Sequence, residues 1–320
     1  MTKIGFHASH EQFAPSHLLD LVGRAEAAGF ACAKSSDHFH PWSSKQGQSG
    51  FVWSWLGAVM QATSLEIGVI SAPGYRYHPA VLAQAAATIG EMFPGRLWLA
   101  LGSGEAINES ITGIAWPDKQ ERNARLKECV DVTRALFAGE TVTHRGRVEV
   151  VEARLFSRPE KPVPIYGAAV TPETAKFVAG WADGLLTTGG DIEVVRKVVE
   201  TFRAHGGEGK PVHIQHALSW AETEDEALAS ALEQWGPLAV GGDVNWDTAR
   251  IADFDLIGSA ISEEAIRKCV AVSADLGRHT QWISDICAIG AEAVHLHCVG
   301  RNQEKFIEVF GEKVLPQLRR

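Results

Sequence analysis

The chain lacks any C-x-x-C pair. Its five cysteines (Cys32, Cys129, Cys269, Cys287 and Cys298) lie scattered over 320 residues. That spacing excludes a disulfide framework and a thiolate zinc site, and it points to a reduced, cytoplasmic setting. Basic runs are equally absent: Lys and Arg total 30 against 39 Asp and Glu, a net charge of -9. Nucleic acid and anionic membrane surfaces are therefore poor partners. No apolar stretch reaches the roughly 18 residues of a membrane span, and no charged-then-apolar leader opens the sequence, so neither a membrane nor secretion is expected. Internal repeats and low-complexity tracts are missing. No GxGxxG follows the first apolar run, which removes the usual sign of a dinucleotide-binding open sheet.

What is present is a hydrophobic content of 45%, ample for a large core, arranged as alternating strands and helices. "KIGFH" (3–7) reads as a strand, and "PSHLLDLVGRAEAAG" as a helix with Pro15 in its first turn and Gly29 at its end. "FACAKS" (30–35), "LEIGVIS" (65–71) and "RLWLALGSG" (96–104) continue the strands, with helices over 51–63 and 79–93 between them. Helix 118–138 leads to a β-like excursion near 142–156. Strands follow at 163–170, 184–188, 212–220 and 293–299, each followed by a helical pattern. Residues 236–262 are rich in Gly and Asp, show no clear period, and read as an inserted loop region with a short helix at most. Helices 263–272, 277–289 and 302–319 complete the pattern. Eight largely apolar strands, each followed by a helix, predict an α/β fold, a (βα)8 TIM barrel over residues 1–320 as one domain, with insertions near 142–156 and 236–262. A doubly wound open sheet is the runner-up.

In such a barrel the loops at the strand C-termini carry the chemistry. The first supplies His10, Glu11 and Gln12, and the second Asp37, His38, His40 and Trp42. After strand three come Ser71 and Ala72, after strand four Ser103, Gly104, Glu105 and Asn108, and after strand six Thr187 and Thr188. Carboxylates, a histidine and an indole from different strands form the pattern of a site. At least one of His38 and His40 is functional on this reading, and Trp42 suits lying against a ring or a sugar face. His295 and His297 alternate along the last strand and read as satisfied structural histidines. His38-x-His40 also leaves open a metal-dependent TIM-barrel hydrolase, although Pro41 follows directly and no aspartate closes the last strand.

The segments "ASHEQFAP", "SDHFHPW", "PGYRYHPAVLAQAAATIGEMFPGRLWLALGSGEAINE" and "VLPQLRR" closely resemble the luciferase-like flavin and deazaflavin oxidoreductases. The resemblance is strongest to the branch containing F420-dependent glucose-6-phosphate dehydrogenase. It implies a bacterial luciferase-like TIM barrel, a small-molecule substrate, a homodimer, and FMN or coenzyme F420 as cofactor. It further implies that His38 is the acid/base residue, that Glu105 exchanges a proton near the cofactor, that Glu11 supports His38, and that Trp42 covers the reacting face. Asp37, Ser103, Gly104 and Asn108 would line the cofactor, as would Ala72, Val170 and Thr171. A non-proline cis peptide is implied at about Val69–Ile70. Thr188, Asp191 and Lys268 fall at positions that contact substrate. Asp191 stands where the branch carries a phosphate-binding lysine, which speaks against glucose 6-phosphate. Ala72 and Val170-Thr171 depart from the branch at cofactor contacts, which opens the FMN alternative, with the helix beginning at Pro172 positioned to receive its phosphate. The expected activity is hydride transfer to or from an alcohol or carbonyl of a small polar molecule. An FMN-dependent monooxygenase is the close alternative, and a cofactor-binding barrel without catalysis a further one.

Overall fold

A computed structural model describes residues 1–318. Eight parallel strands, Lys3–Ala8 (β1), Cys32–Ser35 (β2), Glu66–Ser71 (β3), Leu97–Leu101 (β4), Ile165–Ala168 (β5), Gly184–Thr188 (β6), Val212–Ser219 (β7) and Ala293–Cys298 (β8), pair in chain order. β8 pairs back onto β1, so the sheet closes as the TIM barrel expected from the alternation. Helices cover the outside. Pro15 and Pro79 open the first and third of them, where a missing N–H costs nothing.

The strand period of two sends alternate residues inward. At the bottom of the barrel the interior is plugged by aromatic rings. Trp98 stacks on Tyr166 with centroids 5.1 Å apart, and His213 and His295 pack against the indole at 4.6 and 5.7 Å. Gly68 makes room for this plug, because a Cβ there would run into the Trp98 ring. His295 therefore lies in the barrel interior, bonded to His213 at 3.2 Å. Above the plug the interior opens into a cavity.

The β-like excursion near 142–156 agrees with the sequence reading, forming an antiparallel hairpin of Val142–Arg145 with Glu149–Ala153. Several other segments differ from it. Residues 236–262 are more helical than expected. Gly236–Leu238, Gly242–Asp247 and Ile251–Ser259 are each too short to show a period, and the last is anchored by the fully buried Phe254. The helix expected over 263–272 ends at Cys269, and Ala271–Val272 instead joins β7 as an edge strand. All peptide bonds in the described residues are trans, so the cis peptide implied at Val69–Ile70 is absent. β3 holds unbroken register with β4 there, Val69 opposite Leu99 and Ile70 opposite Ala100.

Candidate active site

A cavity of about 640 Å³ occupies the C-terminal end of the barrel. It gathers most of the residues singled out from the sequence. Glu11, Asp37, His38, Trp42 and Glu105 line it, as do Ile70, Ala72, Ser103, Gly104 and Asn108, with Val170, Thr171 and Thr188 on the far side. Three expected residues are not brought there. Val69 is wholly buried on the opposite face of β3 from Ile70. Asp191 is an exposed helix cap, its carboxylate accepting the Glu193 N–H at 2.8 Å. Lys268 is exposed and pairs with Glu264 at 2.8 Å.

His38 stands at the centre. Its Nε2 lies 3.4 Å from Glu11 Oε1 and 3.4 Å from Glu105 Oε2, and its Nδ1 is buried without a partner. The two carboxylates around this imidazole are tuned apart. Burial pushes the Glu11 pKa up, but His38 and the hydroxyls of Ser36 (2.7 Å) and Ser9 (2.8 Å) outweigh it and hold the group at about 2. Burial and the neighbouring Glu11 raise the Glu105 carboxyl against the opposing pull of His38 and Asn108. One acid is thus held ionised while the other keeps its proton more tightly, the arrangement that separates a fixed charge from a proton donor.

The backbone serves this geometry. Gly104, at φ +84°, turns the chain after β4 so that Glu105 can begin the short helix Ala106–Glu109. Asn108 ties the two loops together: its Oδ1 accepts from the Phe39 and His40 N–H groups, and its Nδ2 donates to Glu105 at 3.0 Å. Trp42 packs over His38 with ring centroids 5.0 Å apart and is backed by Phe254 at 5.2 Å. His40 turns away from the cavity, its Nδ1 bonded to the Ile107 carbonyl at 2.8 Å. Asp37 lines the cavity, yet its carboxylate is already held by Ser71 (2.6 Å), Tyr77 (2.9 Å) and Arg76 (3.3 Å).

Other cavity residues had gone unrecognised. Lys34, His7, His297 and Gln215 line the floor, and their signal was the inward period of β1, β2, β7 and β8. His297 is satisfied, as expected, bonding Gln12 Oε1 at 3.1 Å and Gln215 at 3.2 Å, and its ring also faces the cavity. Lys119 and Asn123 form part of the rim beside Thr187, which its strand-end place had already singled out, with Lys119 donating to Ser103 at 2.8 Å. Asn123 Oδ1 and Thr187 Oγ1 are buried with no partner, so polar atoms await a ligand there. Glu109 and Arg76 were missed as well. Burial lifts Glu109 to about 7 despite Arg76 at 3.6 Å. Thr171 caps its own helix, accepting from Thr174, and Glu173 faces the cavity beside it, so that helix start is poorly suited to a phosphate.

Among the described residues no group of three or more His, Cys, Asp or Glu side chains could hold a metal ion. The site can instead take a proton at His38, keep a negative charge at Glu11 and exchange a proton at Glu105, beside an apolar slot able to take a planar ring.

The chain is similar to known proteins over nearly its whole length. Residues 1–290 match the family model described as luciferase-like monooxygenase. An F420-dependent glucose-6-phosphate dehydrogenase of Microbacterium testaceum (strain StLB037) is 33% identical over 99% of this chain and 98% of its own length. One of Nakamurella multipartita is 34% identical over 99% and 96%. A solved F420-dependent secondary alcohol dehydrogenase in complex with an F420-acetone adduct superimposes with a TM-score of 0.92 at 29% identity, covering 100% of this chain and 99% of that one.

Proposed function

The chain belongs to the luciferase-like monooxygenase family, and from that premise we propose that it is an F420-dependent dehydrogenase. It moves a hydride between the cofactor and an alcohol or carbonyl of a small polar molecule. The observation that carries this reading is His38 flanked at 3.4 Å by two carboxylates of opposite tuning.

The residues present fit the cofactor. Ile70, Ala72, Ala168, Val170 and Leu186 offer an apolar slot for its ring, and Ser103, Lys119, Asn123 and Thr187 offer polar atoms for its tail. When bound, F420 supplies the two-electron acceptor or donor of the hydride. The protein handles the proton. A substrate hydroxyl facing His38 Nε2 gives up its O–H proton as the hydride leaves the adjacent carbon, and the imidazolium returns it in the reverse direction. Glu11, ionised throughout the physiological range, stabilises that imidazolium and fixes the ring. Glu105 provides a second proton site facing the same volume. Trp42 keeps water from the reacting atoms.

Glucose 6-phosphate does not suit the cavity. Only Lys34 and Lys119 among its described lining residues are cations, against Glu11, Asp37, Glu105, Glu109, Glu173 and Asp243. A dianionic phosphate meets repulsion there.

Absorbance titration of the purified protein with F420 and, separately, with FMN tests the cofactor. Saturable F420 binding is expected, and tight FMN binding with none of F420 would reverse the assignment. Cofactor reduction in the presence of 2-propanol tests the reaction class. Oxygen consumption with reduced FMN and no alcohol oxidation would make the protein a monooxygenase.

A further inference from the structure

Resting on the dehydrogenase reading, we propose that Lys34 forms a carboxylate subsite at the cavity floor, so that the substrates are small hydroxy acids or their oxo acids. Lys34 is 1% exposed, and the little that is open faces the cavity. Among the described residues its ammonium has no hydrogen bond and no ion pair. A buried cation without a partner is costly, and a ligand anion supplies the missing one.

The surroundings favour one negative charge rather than two. On β1, His7 stands directly opposite Lys34, and its Nδ1 is buried without a partner. On β8, His297 packs against His7 with ring centroids 4.2 Å apart. Burial holds both imidazoles neutral, so neither adds charge; His297 is engaged by Gln12 and Gln215, and the unpartnered Nδ1 of His7 can serve as an N–H donor. Gln215 completes this polar side of the floor. The backbones of the strands around Lys34 are occupied by the barrel ladder, so the amides beside it are not free to take a phosphate.

The reacting centre lies above. Lys34 points inward on β2, Ser36 lines the cavity just past the strand end and His38 follows two residues beyond, so hydroxyl and carboxylate sit at opposite ends of a short molecule. Burial lowers the Lys34 pKa to about 7, with Glu11 opposing. The groups facing it are His7 and Glu11 from β1 and its loop, and His295 and His297 from β8; β3 presents only Gly68 and Ile70. The three histidines stay neutral and Glu11 stays ionised between pH 6 and 9, so Lys34 alone among them changes charge in that window.

The test uses the F420-loaded protein with lactate, 3-hydroxybutyrate and 4-hydroxypentanoate, each against its primary amide, and with 2-propanol as a neutral alcohol. One of the acids is expected to exceed its amide in kcat/KM by roughly 10- to 100-fold, the worth of a charge-assisted contact. That ratio should fall toward one in Lys34→Met, and in the wild type it should decline as the pH rises above about 7. Proton transfer at the reacting centre is common to acid and amide and cancels in the ratio. The subsite is overturned if no acid outruns its amide, if the ratio ignores both pH and Lys34→Met, or if Lys34→Met weakens F420 binding while leaving the ratio intact. The wild-type pH profile carries the test should the variant fail to fold. Oxidation of 2-propanol without acid preference sinks the subsite alone, whereas absence of F420 binding sinks the dehydrogenase reading.

Discussion

The two halves of the barrel interior share one backbone and differ in almost every side chain. From β7 through β8 and β1 to β2, the inward residues at cavity level are Gln215, His297, His7 and Lys34. From β3 through β6 they are Ile70, Gly102 just past β4, Ala168 and Leu186. Polar groups that a core would normally exclude are thus confined to one side, with Glu11 and His38 directly above them. The contrast separates two tasks: the apolar side suits a flat ring held by contact and shape, and the polar side suits substrate and proton. Nothing in (βα)8 geometry demands this division, so it belongs to these residues and not to the fold.

The sharpest way to break the contrast is at its polar summit. His38→Ala should lower kcat by about 10²- to 10⁴-fold, the usual worth of a positioned acid/base, while the F420 dissociation constant moves by less than tenfold. Turnover near the wild-type rate would show that His38 is not the acid/base and would hand that role to Glu105. Equal losses of turnover and of cofactor binding would mean that the two sides are not separable.

A second effect is read in stability against pH. Burial depresses His213 and His297 to about 3, and His7 and His295 lie well below their ordinary value of 6.5. Unfolded, these imidazoles bind protons below pH 6.5; folded, they do not until far lower. Stability therefore falls as the pH drops from 6.5, by up to about 1.4 kcal/mol per pH unit for each group. Glu11 acts in the same direction over a lower window: its folded-state stabilisation is present above about 4.5 and lost as the pH falls toward 2. Lys34 does so on the alkaline side, because the unfolded amine stays protonated up to 10.5 and the folded one to about 7. Urea unfolding at pH 5, 7 and 9 should give rising stability throughout. A flat profile from 7 to 9 would mean that Lys34 finds a partner or water in the folded chain.

Much of this was legible in the residues and some was not. The strands stood out because they are apolar on both faces, and the loops holding Glu11, His38, Trp42 and Glu105 could be placed from strand ends alone. Lys34 escaped because in "FACAKS" it resembles the polar end of a strand; only the inward set Cys32, Lys34, Ser36 reveals it. Val69 shows the converse error, since a slip of one residue along β3 exchanges cavity for core. Asp191 and Lys268 were expected at the site by resemblance, but local helix capping and an i,i+4 ion pair claim them instead. The helices of 236–262 hide their period because the cavity lies on one side and Trp42 on another, so apolar residues do not mark a single face.

Smaller effects probe the floor and the apolar half. Gly68→Ala puts a methyl into the Trp98 ring, and displacing that plug should cost about 1–3 kcal/mol in thermal or urea unfolding. An unchanged midpoint would show that the indole can move aside.

The gentlest test is Ile70→Val. Ile70 lines the cavity while Val69 behind it is core, so the change removes one methylene from the apolar slot and little from the barrel. That methylene is worth about 0.8 kcal/mol, which predicts a roughly fourfold weaker F420 affinity by absorbance titration. The preference for an acid over its amide should stay where it was, because Lys34 and His38 stand on the other side. A shift in that ratio from so small a change would place substrate against Ile70, and the two halves of the barrel would then have exchanged roles.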